Sequence, residues 1–242
     1  MAMYCRILYK MEEINMSFFT YKDVYFEDEV KVLEVNLLPE KYCNFDCIFC
    51  PIGRSQNKID EKVSFEDQEQ DIKELLKRIN ENEIELVFIN SKGEAFVNEK
   101  LSEIIDLIKS KNVKVRLLSN GYVLGKDEYR KIANKCDEVI GELKVLEEED
   151  FQKVQRPIAG YTIEEYISNM IEFNKQYKGK FIFEITIIKG YNDDQESIAK
   201  LKAIIKQLQP EEIQVVRLEE EHFKKKLGIS DERFEQIKRE LM

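Results

Sequence analysis

Six apolar segments alternate with helix-patterned stretches along most of this chain, and that serial alternation constrains the fold more than any other feature. The strand-like segments are Val32–Leu38, Ile84–Asn90, Val113–Ser119, Val139–Val145, Phe181–Ile188 and Ile213–Leu218. Between them, apolar residues recur at helical spacing: Ile72, Leu75, Leu76 and Ile79; Leu101, Ile104, Ile105 and Ile108; Tyr129, Ile132, Ala133 and Cys136. Capping boxes mark two helix starts, Ser64 with Asp67 and Thr162 with Glu165, and Pro210 closes the helix that holds Leu201 and Leu208. Such βα units in series require a parallel sheet with right-handed crossovers, either open and doubly wound or curled into a partial barrel. Strands covered by helices on both faces should be apolar throughout. Here Glu34 and Asn36, Lys114 and Arg116, Glu142 and Lys144, and Glu184 and Thr186 interrupt them at period two. A wet lumen ringed by helices resolves the conflict. The expected fold is α/β, a partial (βα)6 barrel of parallel strands with outer helices. Residues 1–29 show no clear period and form an N-terminal extension; 30–242 form the barrel domain, with no linker or internal repeat.

Composition narrows the setting. No apolar stretch approaches the ~20 residues of a membrane span, and the N-terminus lacks the basic-then-apolar order of a signal peptide. Five cysteines, three of them in one run, do not resemble a disulfide framework and point to a reducing, cytoplasmic compartment. The net charge is −10 with no dominant basic block, which disfavours a nucleic-acid partner, because phosphate neutralisation normally carries that affinity. Glu219 to Glu221 and Lys224 to Lys226 would pair at i,i+4 on one helix face.

Cys43, Cys47 and Cys50 stand in a C-x3-C-x2-C run just after the first strand. Structural zinc wants four ligands. An iron–sulfur cluster held by three cysteines leaves one iron with an open position for a substrate or cofactor. The competing readings are a zinc knuckle or a redox thiol pair; zinc needs one more nearby ligand, and the sole histidine, His222, is distant in sequence. In a βα barrel the loop after a strand lies at the face where active sites gather. Cys136 completes an apolar stripe and is expected in the core, His222 on the surface, and Cys5 lies in a segment without a clear pattern. No second metal-binding spacing occurs, so no auxiliary cluster is expected.

Cys43-Asn44-Phe45-Asp46-Cys47-Ile48-Phe49-Cys50, on the first loop of a six-unit βα chain, resembles the cluster motif of the radical S-adenosylmethionine superfamily. The resemblance implies a [4Fe-4S] cluster on the three cysteines and S-adenosylmethionine on the open iron. It further implies reductive cleavage to a 5′-deoxyadenosyl radical that abstracts hydrogen from a substrate. Phe49 would lie near the adenine. Ser91-Lys92-Gly93-Glu94 resembles the family's Gly-Glu segment, with Glu94 expected to receive the cofactor's amino group; Lys92 and Ala95 depart from the usual flanking glycine and proline. Ser119-Asn120-Gly121 resembles the strand-end residues that contact the ribose or carboxylate, and Glu142 and Lys144 would face cofactor or substrate. Arg156 and Arg217 are candidate partners for a substrate carboxylate or phosphate.

Within the superfamily, the run Asn44 to Gly53, the Gln155-Arg156-Pro157 turn and the Ile187 to Asp193 segment resemble small iron–sulfur oxidoreductases related to the wyosine-forming tRNA-modification enzymes. The implied substrate is a small molecule, a nucleoside or an RNA base, and the implied electron donor a flavodoxin or ferredoxin. Two other functions compete. Glu142-Leu143-Lys144 is similar to a segment of glycyl-radical-enzyme activases, which act on a partner protein. A non-catalytic iron–sulfur carrier or scaffold would not bind S-adenosylmethionine.

Overall fold

A computed structural model describes residues 17–66 and 68–242. Cys5 and Asp67 fall outside the described residues. Six parallel strands form the sheet in chain order: β1 (Val30–Asn36), β2 (Leu86–Ile89), β3 (Lys114–Ser119), β4 (Glu138–Leu143), β5 (Lys180–Ile187) and β6 (Glu212–Arg217). Each pairs with its successor through a parallel register: Glu34 opposite Phe88, Phe88 opposite Arg116, Leu118 opposite Ile140, Glu142 opposite Glu184, and Thr186 opposite Val216. Among the described residues β1 and β6 do not pair, so the barrel stays open. Short antiparallel strands, Thr20–Tyr21 and Tyr25–Glu27, pair with β1 and extend the sheet beyond it.

The helices are α1 (Gln68–Glu81), α2 (Leu101–Lys109), α3 (Asp127–Ala133), α4 (Ile163–Asn174), α5 (Gln195–Leu208), α6 (Glu221–Leu227) and α7 (Asp231–Leu241). Their buried stripes follow the spacing in the sequence: Ile72, Leu75 and Ile79 on α1, and Leu101, Ile104, Ile105 and Ile108 on α2. Those stripes cover the outward residues of the strands, such as Leu33, Val87, Val115, Val139 and Phe183, all buried. Each core side chain withdrawn from water contributes about 1.5–3 kcal/mol.

Several local expectations are corrected. The Ser64–Asp67 box falls partly outside the described residues; the Ser64 hydroxyl itself donates to Glu99. Thr162 does cap α4, accepting from Glu165 N at 3.2 Å, but the Glu165 carboxylate is taken by Tyr122 Oη, so the box closes on one side only. Among the described residues the Glu219–Glu221 and Lys224–Lys226 triplets form no ion pairs with each other: α6 begins only at Glu221, and Glu219 turns back to Arg217. Cys136 is buried, though in the turn after α3 rather than on it. α5 stops at Leu208, with Gln209 left-handed (φ 49°) just before Pro210.

Even-numbered strand residues point into the lumen and make it polar. At its floor, buried Arg116 donates to both carboxylate oxygens of Glu27, at 2.8 and 3.0 Å, and to Glu138. One level up, Asn90 donates to Glu34 at 2.8 Å. The strand carboxyl ends above are the open mouth, where the chemistry-bearing loops meet.

Candidate active site

The cysteine loop sits over that mouth because backbone hydrogen bonds to residues 154–158, an aromatic cluster and the Asp46 contacts hold it there. Asp46 N donates to Gln155 O at 3.0 Å, Ile48 N to Val154 O at 2.9 Å, and Ile158 N to Asn44 O at 3.0 Å. Phe45 is buried with its ring edge-on to those of Tyr122, Phe151, Tyr161 and Tyr166, at centroid distances of 5.5–6.5 Å. The Asp46 carboxylate accepts from Ser55 N at 2.8 Å and pairs with Arg54 at 2.5 Å. Burial would raise its pKa, but these donors and Lys41 outweigh it and hold the carboxyl below its usual range. The Gln155-Arg156-Pro157 turn noted in the sequence is therefore part of the loop's scaffold. It follows a π-helical stretch, Phe151–Gln155, and ends in left-handed Arg156 (φ 48°). Arg156 stays outside the cavity, its Nε donating to Lys153 O.

A cavity of about 330 Å³ opens beneath the loop, and Cys43, Cys47 and Cys50 all line it. Phe49, Gly93, Asn120, Glu142 and Lys144 line it as well. Thus the structure brings together eight of the ten residues expected to hold the cluster and its cofactor. Glu94 and Ser119 are the two that stand behind the wall.

The Glu94 carboxylate is fully buried and already engaged. Oε2 accepts from Ser119 Oγ and Asn120 N, each at 3.0 Å, and Oε1 accepts from Phe96 N at 3.4 Å. Burial raises its pKa to about 7 against the pull of these donors. Glu94 therefore fixes the end of β3 from below. Gly93 makes the approach possible: its φ is +123°, and an added Cβ would sit 1.9 Å from Tyr42 O. Glu94 N donates to that same Tyr42 oxygen at 2.8 Å, which ties the Gly-Glu segment to the residue before Cys43.

Three thiols from one loop line one cavity, the ligand set that an iron–sulfur cluster with one open iron position takes. Phe45 N points at Cys43 Sγ from 3.4 Å and Asn120 Nδ2 from 3.8 Å, the N–H-to-sulfur contacts that a ligating thiolate takes. Without a metal, burial pushes the Cys43 thiol far up and the Cys47 thiol up to about 12, with Lys144 pulling Cys47 only partly back. Iron charge is what would hold these sulfurs deprotonated.

Sequence reasoning missed several wall residues. Glu184 and Thr186 were seen only as part of an alternating strand, yet both line the cavity beside Glu142 and Lys144. Lys144 pairs with Glu142 at 2.5 Å; burial lowers its pKa, but the charges of Glu142, Cys47 and Glu184 outweigh this and leave it raised. Asn192 staples the ends of β4 and β5, donating to Lys144 O at 3.0 Å and Thr186 O at 2.8 Å. Its signal was the Gly190-Tyr191-Asn192 loop, which carries no chemistry of its own. Arg217 lines the cavity but is paired with Asp231 and Glu219, and His222 is exposed.

Comparison with known proteins agrees with this geometry. The family model described as the Radical SAM superfamily matches residues 39–201. A UPF0026 protein of Methanocaldococcus jannaschii is 26% identical over 183 residues, 74% of this chain and 57% of that one. The chain thus spans little more than half the length of the UPF0026 relatives it matches, 57% of this one and 59% of a Helicobacter pylori protein. In fold, the chain is similar to TYW1 solved with a lysine-pyruvate adduct, with a TM-score of 0.64, 17% identity, and 87% of this chain and 72% of that one covered. A radical SAM methyltransferase from Sphaerobacter thermophilus superposes with a TM-score of 0.66 at 15% identity, over 90% of this chain and 65% of that one.

Proposed function

The chain belongs to the Radical SAM superfamily, and from that premise we propose that substrate is held in the lumen against the ends of β4 and β5, directly below the cysteine loop. It is an enzyme whose cofactors are a [4Fe-4S] cluster and S-adenosylmethionine. With both bound, reductive cleavage of S-adenosylmethionine supplies a 5′-deoxyadenosyl radical that takes a hydrogen atom from substrate.

The residues divide the work as follows. Cys43, Cys47 and Cys50 hold the cluster and leave one iron position open. Phe49, buried between the last two cysteines, offers its ring to the adenine. The Gly93 backbone, which lines the cavity, receives the amino group. Asn120 bonds the ribose or carboxylate, and Glu94, through Ser119 Oγ and Asn120 N, positions it. Glu142 and Lys144 complete the polar wall. Thr186 and Glu184 lie next to them, within reach of a substrate rather than of the loop. Helices and the Phe45 aromatic cluster exclude bulk water from the cysteine side, which protects a reactive radical.

The substrate is a small molecule or nucleoside, in keeping with a cavity of about 330 Å³. A net charge of −10 gives no support to a polynucleotide partner. A flavodoxin or ferredoxin supplies the electron. Among the described residues no helix is long and apolar enough to cross a membrane.

One observation carries this reading: three thiols from one eight-residue run line a single cavity together with the polar ends of β3 and β4. Anaerobic reconstitution with iron and sulfide tests it. The wild-type protein should gain thiolate-to-iron charge-transfer absorbance, and the spectrum of its reduced cluster should change when S-adenosylmethionine is added. Cys47→Ala should lose the full cluster. A variant that keeps it would sink the ligand assignment.

A further inference from the structure

Three cations reach the cavity, and each is satisfied within the protein. Lys41 Nζ donates to Gly53 O at 2.6 Å and lies 3.9 Å from Asp46. Lys144 pairs with Glu142, and Arg217 with Asp231 and Glu219. Glu184 is different. It lines the same cavity, directly opposite Glu142 in the β4–β5 register, and among the described residues it takes part in no ion pair. Burial and the Glu142 charge raise its pKa to about 7, with Lys144 offsetting only part of the rise. Glu184 also shares a hydrogen bond with Glu142, so two carboxyls at this point share one cation, Lys144.

A second observation points the same way. Gln155 is 1% exposed and lines the cavity, yet its side-chain oxygen has no hydrogen-bond partner. Buried acceptors are rarely left unpaired, and such a group is costly until a donor meets it. The Gln155 backbone is pinned to the cysteine loop through Asp46 N, so the side chain is held at this wall. Tyr166 lies against Gln155, and its hydroxyl sits 2.5 Å from both the Asn120 and the Glu142 backbone carbonyls, which anchors this part of the wall to the ends of β3 and β4. Beside Glu184 and Thr186, the end of β6 and the segment after it add apolar surface from Val216, Leu218 and Phe223, set among Arg217, Glu219 and Glu220.

Resting on the enzyme reading above, we propose that the substrate carries a cationic N–H group, an amine or amidinium on an apolar stem. Its charged head is received by Glu184 and a further N–H by Gln155 Oε1, while the stem lies on Val216, Leu218 and Phe223. Charge-assisted hydrogen bonds of this kind are about twice as strong as neutral ones. S-Adenosylmethionine also bears an ammonium group, so the test must separate cofactor from substrate.

Pentylamine, 1-pentanol and pentanoate share one stem and differ in head charge. Each is titrated into the reconstituted holoprotein with S-adenosylmethionine bound, and binding is read from the electron paramagnetic resonance of the reduced cluster and from thermal shift. Pentylamine should bind about tenfold more tightly than the other two. Glu184→Gln should abolish that preference, Glu184→Asp should retain most of it, and Gln155→Met should weaken pentylamine alone. Affinity for S-adenosylmethionine should stay unchanged in all three variants. Equal binding of the probes, no binding of pentylamine, or an unaltered preference in Glu184→Gln would overturn the proposal. Loss of cofactor affinity in Glu184→Gln would do so too, by assigning the recognised cation to S-adenosylmethionine. A wild-type holoprotein that binds no S-adenosylmethionine contradicts the enzyme reading alone; the probe series, repeated without cofactor, still decides the charge preference.

Discussion

Gly93 and Glu94 act as neighbours with opposite burdens. Gly93 gives the backbone room against Tyr42 O, where any Cβ would collide, and Glu94 uses the resulting position to reach Ser119 and Asn120. Gly93→Ala should cost at least about 2 kcal/mol, measured by denaturant unfolding, and should loosen the cysteine loop. Glu94 also makes stability pH-dependent. Its folded pKa of about 7 lies above the ordinary carboxylate value, as does that of Glu184, so between about pH 4.5 and 7 the folded protein binds more protons than the unfolded chain. Stability from these groups is therefore present at the acid end of that window and is lost as pH rises. Melting of the metal-free protein should occur at a lower temperature at pH 8 than at pH 5.5, and Glu94→Gln should shrink the difference. A difference unchanged in the variant would remove Glu94 as its source. At this scale the sequence named Glu94 but assigned it to the ligand. Only the fold shows its oxygens turned toward β3, because that contact spans 25 and 26 residues of chain.

Elements were more legible than their connections. Helical spacing identified the buried stripes of α1 and α2, and Thr162 marked the start of α4. Thr162→Ala should destabilise the protein by about 1 kcal/mol, read as a lower midpoint in urea; an unchanged midpoint would mean that the cap contributes nothing measurable. The capping box was only half right because Glu165 found a tertiary partner in Tyr122, and local pattern cannot anticipate a partner 43 residues away. Pairing of the two charged triplets failed for a different reason: α6 starts too late to carry the first of them. Turns were the least readable. Asn192 binds two strand ends through its side chain, yet the sequence marked it only as part of the Ile187 to Asp193 segment, with no role of its own.

For the molecule as a whole, period-two polarity in the strands was the decisive signal. Glu34, Arg116, Glu142 and Glu184 have no place in a sheet sealed on both faces, and all four are lumen residues here. The floor of the lumen is closed by the Arg116 ion pairs, and the cysteine loop overhangs its mouth, leaving a partly open chamber that both the thiols and the polar strand ends line. Sequence could not show how β1 would be flanked. The short strands that add to it supply Glu27 to Arg116, so the segment before the barrel helps to close the floor. Radical chemistry on S-adenosylmethionine in this chamber is tested by anaerobic reconstitution, chemical reduction and addition of S-adenosylmethionine, followed by chromatography of the products. The wild-type protein should release 5′-deoxyadenosine and methionine in equal amounts and Cys47→Ala none; a fully formed, reduced cluster that leaves S-adenosylmethionine intact would rule this chemistry out.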